Sequence, residues 1–207
     1  MSLILQAKAS LRQMIKQRIN GLSSYEKDQQ SKIIMNQVLS LEEFKKSQRI
    51  SIYLSLKDEV NTLPILQYMF SSGKQCFIPH FENQEMIMIK LESYEAYEHL
   101  PVANSWGIKQ PLVFDQSLDA IHSGGLDLIF MPGLAFTKDG ARLGRGMGYY
   151  DKYLQKCEDN GKLPKTIALI FKEQLVDEVP TWQHDKSVDM VLFPTQQEID
   201  ELLKENL

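Results

Sequence analysis

The stretch from Leu126 to Leu154 restricts what this chain can fold into more than any other part of it. It opens on the apolar run Leu128-Ile129-Phe130-Met131, stopped by Pro132-Gly133, which reads as a buried strand ending in a turn. It closes on Tyr149, Tyr150, Tyr153 and Leu154, whose spacing suits one face of a helix. Between them Gly140, Gly144, Gly146 and Gly148 are interleaved with Lys138, Arg142 and Arg145. Glycine lets backbone approach a ligand closely. A helix N-terminus offers free N–H groups and partial positive charge, and arginine adds paired donors for phosphate oxygens. Strand, Gly/Arg loop and helix, in that order, predict a phosphate cradle in an α/β protein. A long solvated connection is the bland reading of the same residues.

The cradle belongs to neither of two common phosphate motifs. No Gly-Lys-Ser/Thr follows the glycines, and Tyr149 stands where a dinucleotide fingerprint needs its last glycine. Residue pattern alone therefore predicts a phosphorylated ligand and names no reaction.

Bulk properties narrow the classes. A chain of 207 residues fits a single domain, 1–207, which buries roughly 70% of its unfolded surface. The net charge of −4 lacks the basic excess of a nucleic-acid binder. Cys76 and Cys157 form no CxxC pair, so neither a zinc pattern nor a disulfide framework is expected. No apolar run reaches the roughly 18 residues that a membrane span needs. Lys8, Arg12, Lys16 and Arg18 precede the first acid, Glu26, a bias that transit peptides share. Serine is sparse there, so the cytosol is the expected compartment, with the mitochondrion as alternative.

Helices and strands alternate along the chain. Leu11, Met14, Ile15 and Ile19 recur at helical spacing and predict a helix from Leu5 to about Asn20. Ser23 with Glu26 makes a capping box for a second helix with Ile33, Ile34, Val38 and Leu41 on its apolar face. Ile50, Ile52 and Leu54 alternate as in a strand, and Thr62 is placed to cap a helix with Pro64 in its first turn. Further strands are expected at Gln75–Ile78, Met86–Leu91, Leu126–Met131, Thr166–Phe171 and Met190–Phe193, and Thr195 with Glu198 caps a last helix. Pro101–Gly125 reads as a long loop on the substrate side. The pattern predicts an α/β fold with ligands at the C-terminal ends of its strands.

Pro132-Gly133-Leu134-Ala135-Phe136, followed by Gly140-x-Arg142-Leu143-Gly144-Arg145-Gly146-x-Gly148-Tyr149-Tyr150-Asp151, resembles the signature of the 5-formyltetrahydrofolate cyclo-ligase (methenyltetrahydrofolate synthetase) family. The likeness runs from about Lys8 to Val191. It includes Lys8-x-x-Leu11-Arg12, Tyr53-Leu54-Ser55 with Glu59-Val60 and Thr62, Gly73-Lys74, Ile78-Pro79, Trp106-Gly107-Ile108 with Pro111, and Pro180 with His184-Asp185 and Asp189. The segment Gly124 to Gly133 looks closest to the animal members.

The resemblance implies one Rossmann-like domain with a mostly parallel sheet flanked by helices. It also implies an enzyme that uses ATP and Mg²⁺ to close 5-formyltetrahydrofolate into 5,10-methenyltetrahydrofolate, releasing ADP and phosphate. ATP would be held by Lys8, Ala9, Ser10, Leu11 and Arg12, and by Arg142, Leu143, Gly144, Arg145, Gly146, Met147, Gly148, Tyr149 and Tyr150. The folate would meet Leu54, Glu59, Trp106 and the stretch Arg145, Gly146, Met147, Gly148, Tyr149, with Arg145 and Tyr149 the catalytic pair. Asp151 and Asp185 match the magnesium positions, and Asp189 is a second choice. Without the family, Lys8 and Arg12, four apart on one helix face, read equally as a phosphate-reaching pair or a solvated basic face, Glu59 as an exposed acid, and Asp151 as a helix-start acid complementing the dipole. A monomer without nucleic-acid or membrane partners is expected.

Two departures stand out: Met147 occupies a position where members commonly carry Gly or Lys, and Gln110 one where many carry Glu. The other functions weighed are a different ATP-using enzyme, such as a small-molecule kinase, and a non-catalytic folate- or nucleotide-binding protein.

Overall fold

The computed structural model describes residues 3–102, 107–182 and 184–205. The helices are α1 (Leu3–Asn20), α2 (Ser24–Ser40), α3 (Glu42–Lys46), α4 (Leu63–Ser71), α5 (Tyr94–His99), α6 (Tyr149–Asp159) and α7 (Gln196–Glu205). The strands are β1 (Arg49–Ser51), β2 (Gln75–Glu82), β3 (Glu85–Leu91), β4 (Leu128–Met131), β5 (Ala135–Phe136), β6 (Arg142–Leu143), β7 (Lys165–Leu169) and β8 (Met190–Leu192).

Six strands form one sheet in the order β3-β2-β1-β4-β7-β8. All neighbours run parallel except β3, which returns antiparallel on β2. Parallel strands are covered on both faces and so read as unbroken apolar runs. In β4 every residue is buried, with Leu128 and Phe130 in one core cluster and Ile129 and Met131 in the other. The first cluster takes Ile15 and Ile19 of α1, Ile34 and Val38 of α2 and Ile65 of α4. The second takes Tyr150, Tyr153, Leu154 and Cys157 of α6. Helices α1, α2 and α4 therefore cover one face of the sheet, and α6 the other.

Local chemistry sets the element ends. The Ser23 side chain accepts from the Glu26 N–H while Glu26 accepts from the Ser23 N–H at 2.8 Å, a complete capping box. Thr195 and Glu198 make the same reciprocal pair ahead of α7. Thr62 behaves otherwise than expected. Its hydroxyl donates to the Tyr53 carbonyl at 2.7 Å, and Asn61 accepts the Leu63 N–H instead. Thr62 thus ties the end of the loop after β1 back to its start, and its side chain caps nothing.

The Gly/Arg loop is more ordered than a glycine count suggests. Within it β5 and β6 pair antiparallel, Ala135 beside Leu143 and Phe136 beside Arg142. Gly140 closes their turn at φ +90°, where an added Cβ would lie 2.1 Å from the Val188 carbonyl oxygen. An alanine there meets both left-handed backbone and a clash with main chain. Gly140→Ala is expected to cost at least about 2 kcal/mol of stability, read as a lowered urea midpoint; an unchanged midpoint would show that the turn can move away.

Candidate active site

β1 leads through α4 to β2 on one side, while β4 leads through α6 to β7 on the other. The chain therefore diverges between β1 and β4, and in an open α/β sheet such a switch point leaves a crevice beyond the strand ends. A pocket of about 370 Å³ lies there. Leu54 and Glu59 from the loop after β1, Pro79 and Phe81 from β2, Pro132 and Gly133 after β4, and Arg142 to Asp151 of the glycine loop and α6 contribute to its walls.

Glu59 is the acid of this crevice. Its side chain is only 8% exposed, against the solvated position its local sequence suggests. One carboxylate oxygen accepts the Leu56 N–H at 2.9 Å, and the other accepts from Arg145 Nε and Nη2 at 3.1 and 2.8 Å. Burial raises the Glu59 pKa, opposed by Arg145 and by the Leu56 N–H. Arg145 Nη2 also donates to Asp58 at 3.0 Å. Burial disfavours the guanidinium charge, but the two acids outweigh it and hold the Arg145 pKa above its ordinary value. A glycine-loop arginine is thus braced across the crevice to the loop after β1.

A second set of charges lies toward α6. Arg142 is buried; its Nη2 donates to Asp151 at 2.6 Å and its Nη1 to the Pro132 carbonyl at 3.4 Å, while its Nε has no partner among the described residues. The Asp151 oxygen that takes Arg142 also accepts the Lys186 N–H at 3.1 Å, which draws the segment carrying Asp185 alongside. One Asp185 oxygen receives the Lys8 ammonium and, at 2.6 Å, the Trp182 N–H. Lys8 is buried, with the Trp182 ring 5.6 Å from its nitrogen. Arg12, one turn along α1, donates from Nε to the Gly144 carbonyl at 2.9 Å, and a Cβ on Gly146 would touch its guanidinium. Burial lowers the Arg12 pKa, against the pull of Asp185.

Gly148, at φ +68°, turns the chain into α6. The first-turn N–H groups of that helix and the cations Lys8, Arg12 and Arg142 together make an anion-favouring surface. Asp151 and Asp185 each leave one carboxylate oxygen without a protein partner among the described residues. No cluster of three or more acids, histidines or cysteines able to hold a metal occurs among those residues. Magnesium keeps several waters and typically takes one or two carboxylates plus substrate phosphates. Two free carboxylate oxygens beside phosphate donors fit that ion.

Tyr149 packs its ring against Phe81 with centroids 5.0 Å apart, and Tyr150 is buried with its hydroxyl pKa pushed up by burial first and by Glu59 second. Leu54 lines the pocket, and Met147 stands at its edge, 50% exposed. Leu143 is buried within β6, and Ala9 and Ser10 are exposed on α1 while Leu11 packs against the core. Trp106 lies outside the described residues.

Asp189 needs correction as a metal candidate. It accepts from the Thr166 N–H and hydroxyl at 2.8 and 2.7 Å and pairs with Lys165. These residues begin β7, at the opposite end of the parallel strands from the pocket. Sequence reasoning missed Asp58 and Phe81, which sit in no motif, and gave no role to Ile108, which lines the pocket. Gln110, given no role, is buried and bonds the Phe81 main chain through both ends of its amide, at 3.0 and 3.3 Å.

The Asp185 geometry sets a pH dependence. Burial alone would raise its pKa, but the bonds from Lys8 and the Trp182 N–H win and bring it below the ordinary 3.8. The resulting stabilisation is complete above that value and is lost as the pH falls through the lowered folded pKa. Urea titrations of the wild type and Asp185→Asn are expected to differ at about pH 6 and to converge toward about pH 2. A gap that persists at the acid end would rule out the charge of Asp185 as its source.

Comparison with known proteins places the chain in a family. The model of the 5-formyltetrahydrofolate cyclo-ligase family matches residues 4–194. The chain is 46% identical to the mouse protein named 5-formyltetrahydrofolate cyclo-ligase, over 90% of this chain and 93% of that one. It is 30% identical to the Saccharomyces cerevisiae protein of that name, over 89% and 94% of the two chains. The solved structure of an Aquifex aeolicus 5,10-methenyltetrahydrofolate synthetase superposes with a TM-score of 0.71 at 28% identity, covering 90% of this chain and 89% of that one. With the crevice, its glycine loop and this likeness along nearly the whole sequence, the chain belongs to the 5-formyltetrahydrofolate cyclo-ligase family.

Proposed function

We propose that this protein converts 5-formyltetrahydrofolate to 5,10-methenyltetrahydrofolate with consumption of ATP, in a reaction that also requires Mg²⁺. The observation that carries the reading is the bracing of Arg145 between the glycine loop and the buried Glu59, which sets a phosphate-binding loop against an acid-floored pocket. The relatives' names supply the substrate.

A formamide oxygen is a poor leaving group and folate N10 a weak nucleophile. Moving the γ-phosphoryl group of ATP onto the formyl oxygen gives an N5-iminium phosphate and releases ADP. N10 then attacks the formyl carbon, the C–O bond breaks with its electron pair going to phosphate, and the N10 proton is lost as the methenyl cation forms. Phosphoryl transfer depends on positioning and charge neutralisation more than on acid–base groups.

The residues divide the work accordingly. Lys8, Arg12 and Arg142 take nucleotide phosphates, along with the first N–H groups of α6. Arg145 offers a planar guanidinium to the transferring group, where two of its N–H bonds hold two oxygens at once. Glu59, buried at the crevice floor, accepts from the adjacent N–H donors of the pterin. Tyr149 and Phe81 form an aromatic wall for the ring system. Asp151 and Asp185 would hold Mg²⁺ through their free oxygens. That ion supplies neutralisation of phosphate charge.

The test mixes purified protein with 5-formyltetrahydrofolate, ATP and Mg²⁺ and follows the near-ultraviolet absorbance of the methenyl product together with ADP. Both are expected to rise only when all three are present. ADP formation without methenyl product would point to a kinase, and binding of both substrates without turnover to a non-catalytic protein. In the same assay Arg145→Ala is expected to lower kcat by about a thousandfold or more while the circular dichroism spectrum stays native. Near-normal kcat in that variant would remove Arg145 from the transfer step.

A further inference from the structure

Among the described residues the ionised side chains lining the pocket are Lys16, Glu59, Arg142, Arg145 and Asp151. Arg142 is matched by Asp151, and Arg145 by Glu59 and Asp58. Of these, Lys16 alone has no carboxylate or hydrogen-bond partner among the described residues, and no acid precedes Glu26 to supply one along α1. Lys8, Arg12 and Lys16 follow one another at four-residue spacing, so they share a face of the helix. Three like charges in a row repel unless anions lie against them. Lys8 has Asp185 and Arg12 has the Gly144 carbonyl, which leaves the last cation of the row without a counterpart.

Its position says what the counterpart is. The Glu59 side chain is buried in the pocket, whereas Lys16 and Met147 are exposed lining residues that mark its rim. A volume of about 370 Å³ is at the small end for a ligand pocket. It opens to solvent among exposed lining residues, so with the pterin edge of a folate on the buried Glu59 the glutamate end, carrying two carboxylates, extends toward the rim.

Resting on the folate reading above, we propose that Lys16 is a substrate-binding residue that pairs with a carboxylate of the folate glutamate and sets the preference for glutamylated over truncated folates. A nucleotide phosphate is the other anion that a cation here could serve. The exposed position favours the carboxylate: Arg142, the phosphate donor that lines this pocket, is buried within it, and Lys8 and Arg12 lie outside its lining.

Calorimetric titration with 5-formyltetrahydrofolate and with its analogue lacking the glutamate, 5-formyltetrahydropteroate, decides the matter without needing turnover. The wild type is expected to bind the glutamylated compound about three- to tenfold more tightly, the range of an exposed ion pair. Lys16→Gln is expected to bind both compounds equally, with ATP affinity unchanged, and Lys16→Arg to restore most of the difference. The preference should shrink as salt is raised. Equal loss for both folates in Lys16→Gln, a loss confined to ATP, or no change at all would overturn the proposal, as would a wild type that binds neither folate. Binding with the expected difference but no turnover would remove the enzymatic reading and leave Lys16 in place.

Discussion

β1 pairs in parallel with β2 through Ile50–Cys76 and with β4 through Ile50–Leu128. The site depends on this double contact. Because the chain leaves β1 toward one face and β4 toward the other, the loops at their ends diverge, and the gap cannot be closed by backbone. Ile50 and Ile52 are fully buried, and each buried side chain of that size contributes roughly 1.5–3 kcal/mol. The strand ends that frame the gap are therefore fixed by the core. The Asp127 carboxylate anchors the far end by accepting the Gln48 and Arg49 N–H groups at 2.9 and 2.8 Å.

Across the gap the binding is electrostatic. Arg145 of the glycine loop reaches Asp58 and Glu59 of the loop after β1, and Arg142 reaches Asp151 of α6. Lys8 of α1 reaches Asp185, near the chain's return into β8. Buried ions lose hydration and persist only when paired and hydrogen-bonded, and these pairs join the segments around the crevice alongside the Tyr149–Phe81 ring contact. Such contacts can exchange one oxygen partner for another at little cost, which suits groups that would meet phosphate and pterin in turn.

Much of the fold is legible in the residues. The unbroken run Leu128–Met131 reads as a strand buried on both faces, and Ser23–Glu26 reads as a helix start, because both signals are local. The β5–β6 hairpin is not, since each strand has only two residues and the pairing is hidden inside glycines. Thr62 carries the right side chain for a cap, but its hydroxyl is claimed by the Tyr53 carbonyl at the start of the same loop. For the site, Arg142, Arg145 and Asp151 line the crevice, while Lys8 and Arg12 join its surroundings through Asp185 and the Gly144 carbonyl. The burial of Glu59 inside Lys57-Asp58-Glu59 could not be read, because it arises from packing under a loop more than eighty residues away. Asp189 misleads for the converse reason: its spacing from Asp185 is right for the motif, yet parallel strand direction sends it to the other end of the sheet.

In the proposed reaction this crevice brings the phosphoryl donor against the formyl oxygen of the folate, so that this oxygen leaves as part of phosphate. Turnover of 5-formyltetrahydrofolate labelled with heavy oxygen in the formyl group, followed by mass spectrometry of the inorganic phosphate, tests it directly. The account predicts one heavy oxygen in each phosphate released. Phosphate without the label, with heavy oxygen recovered in water, would contradict it.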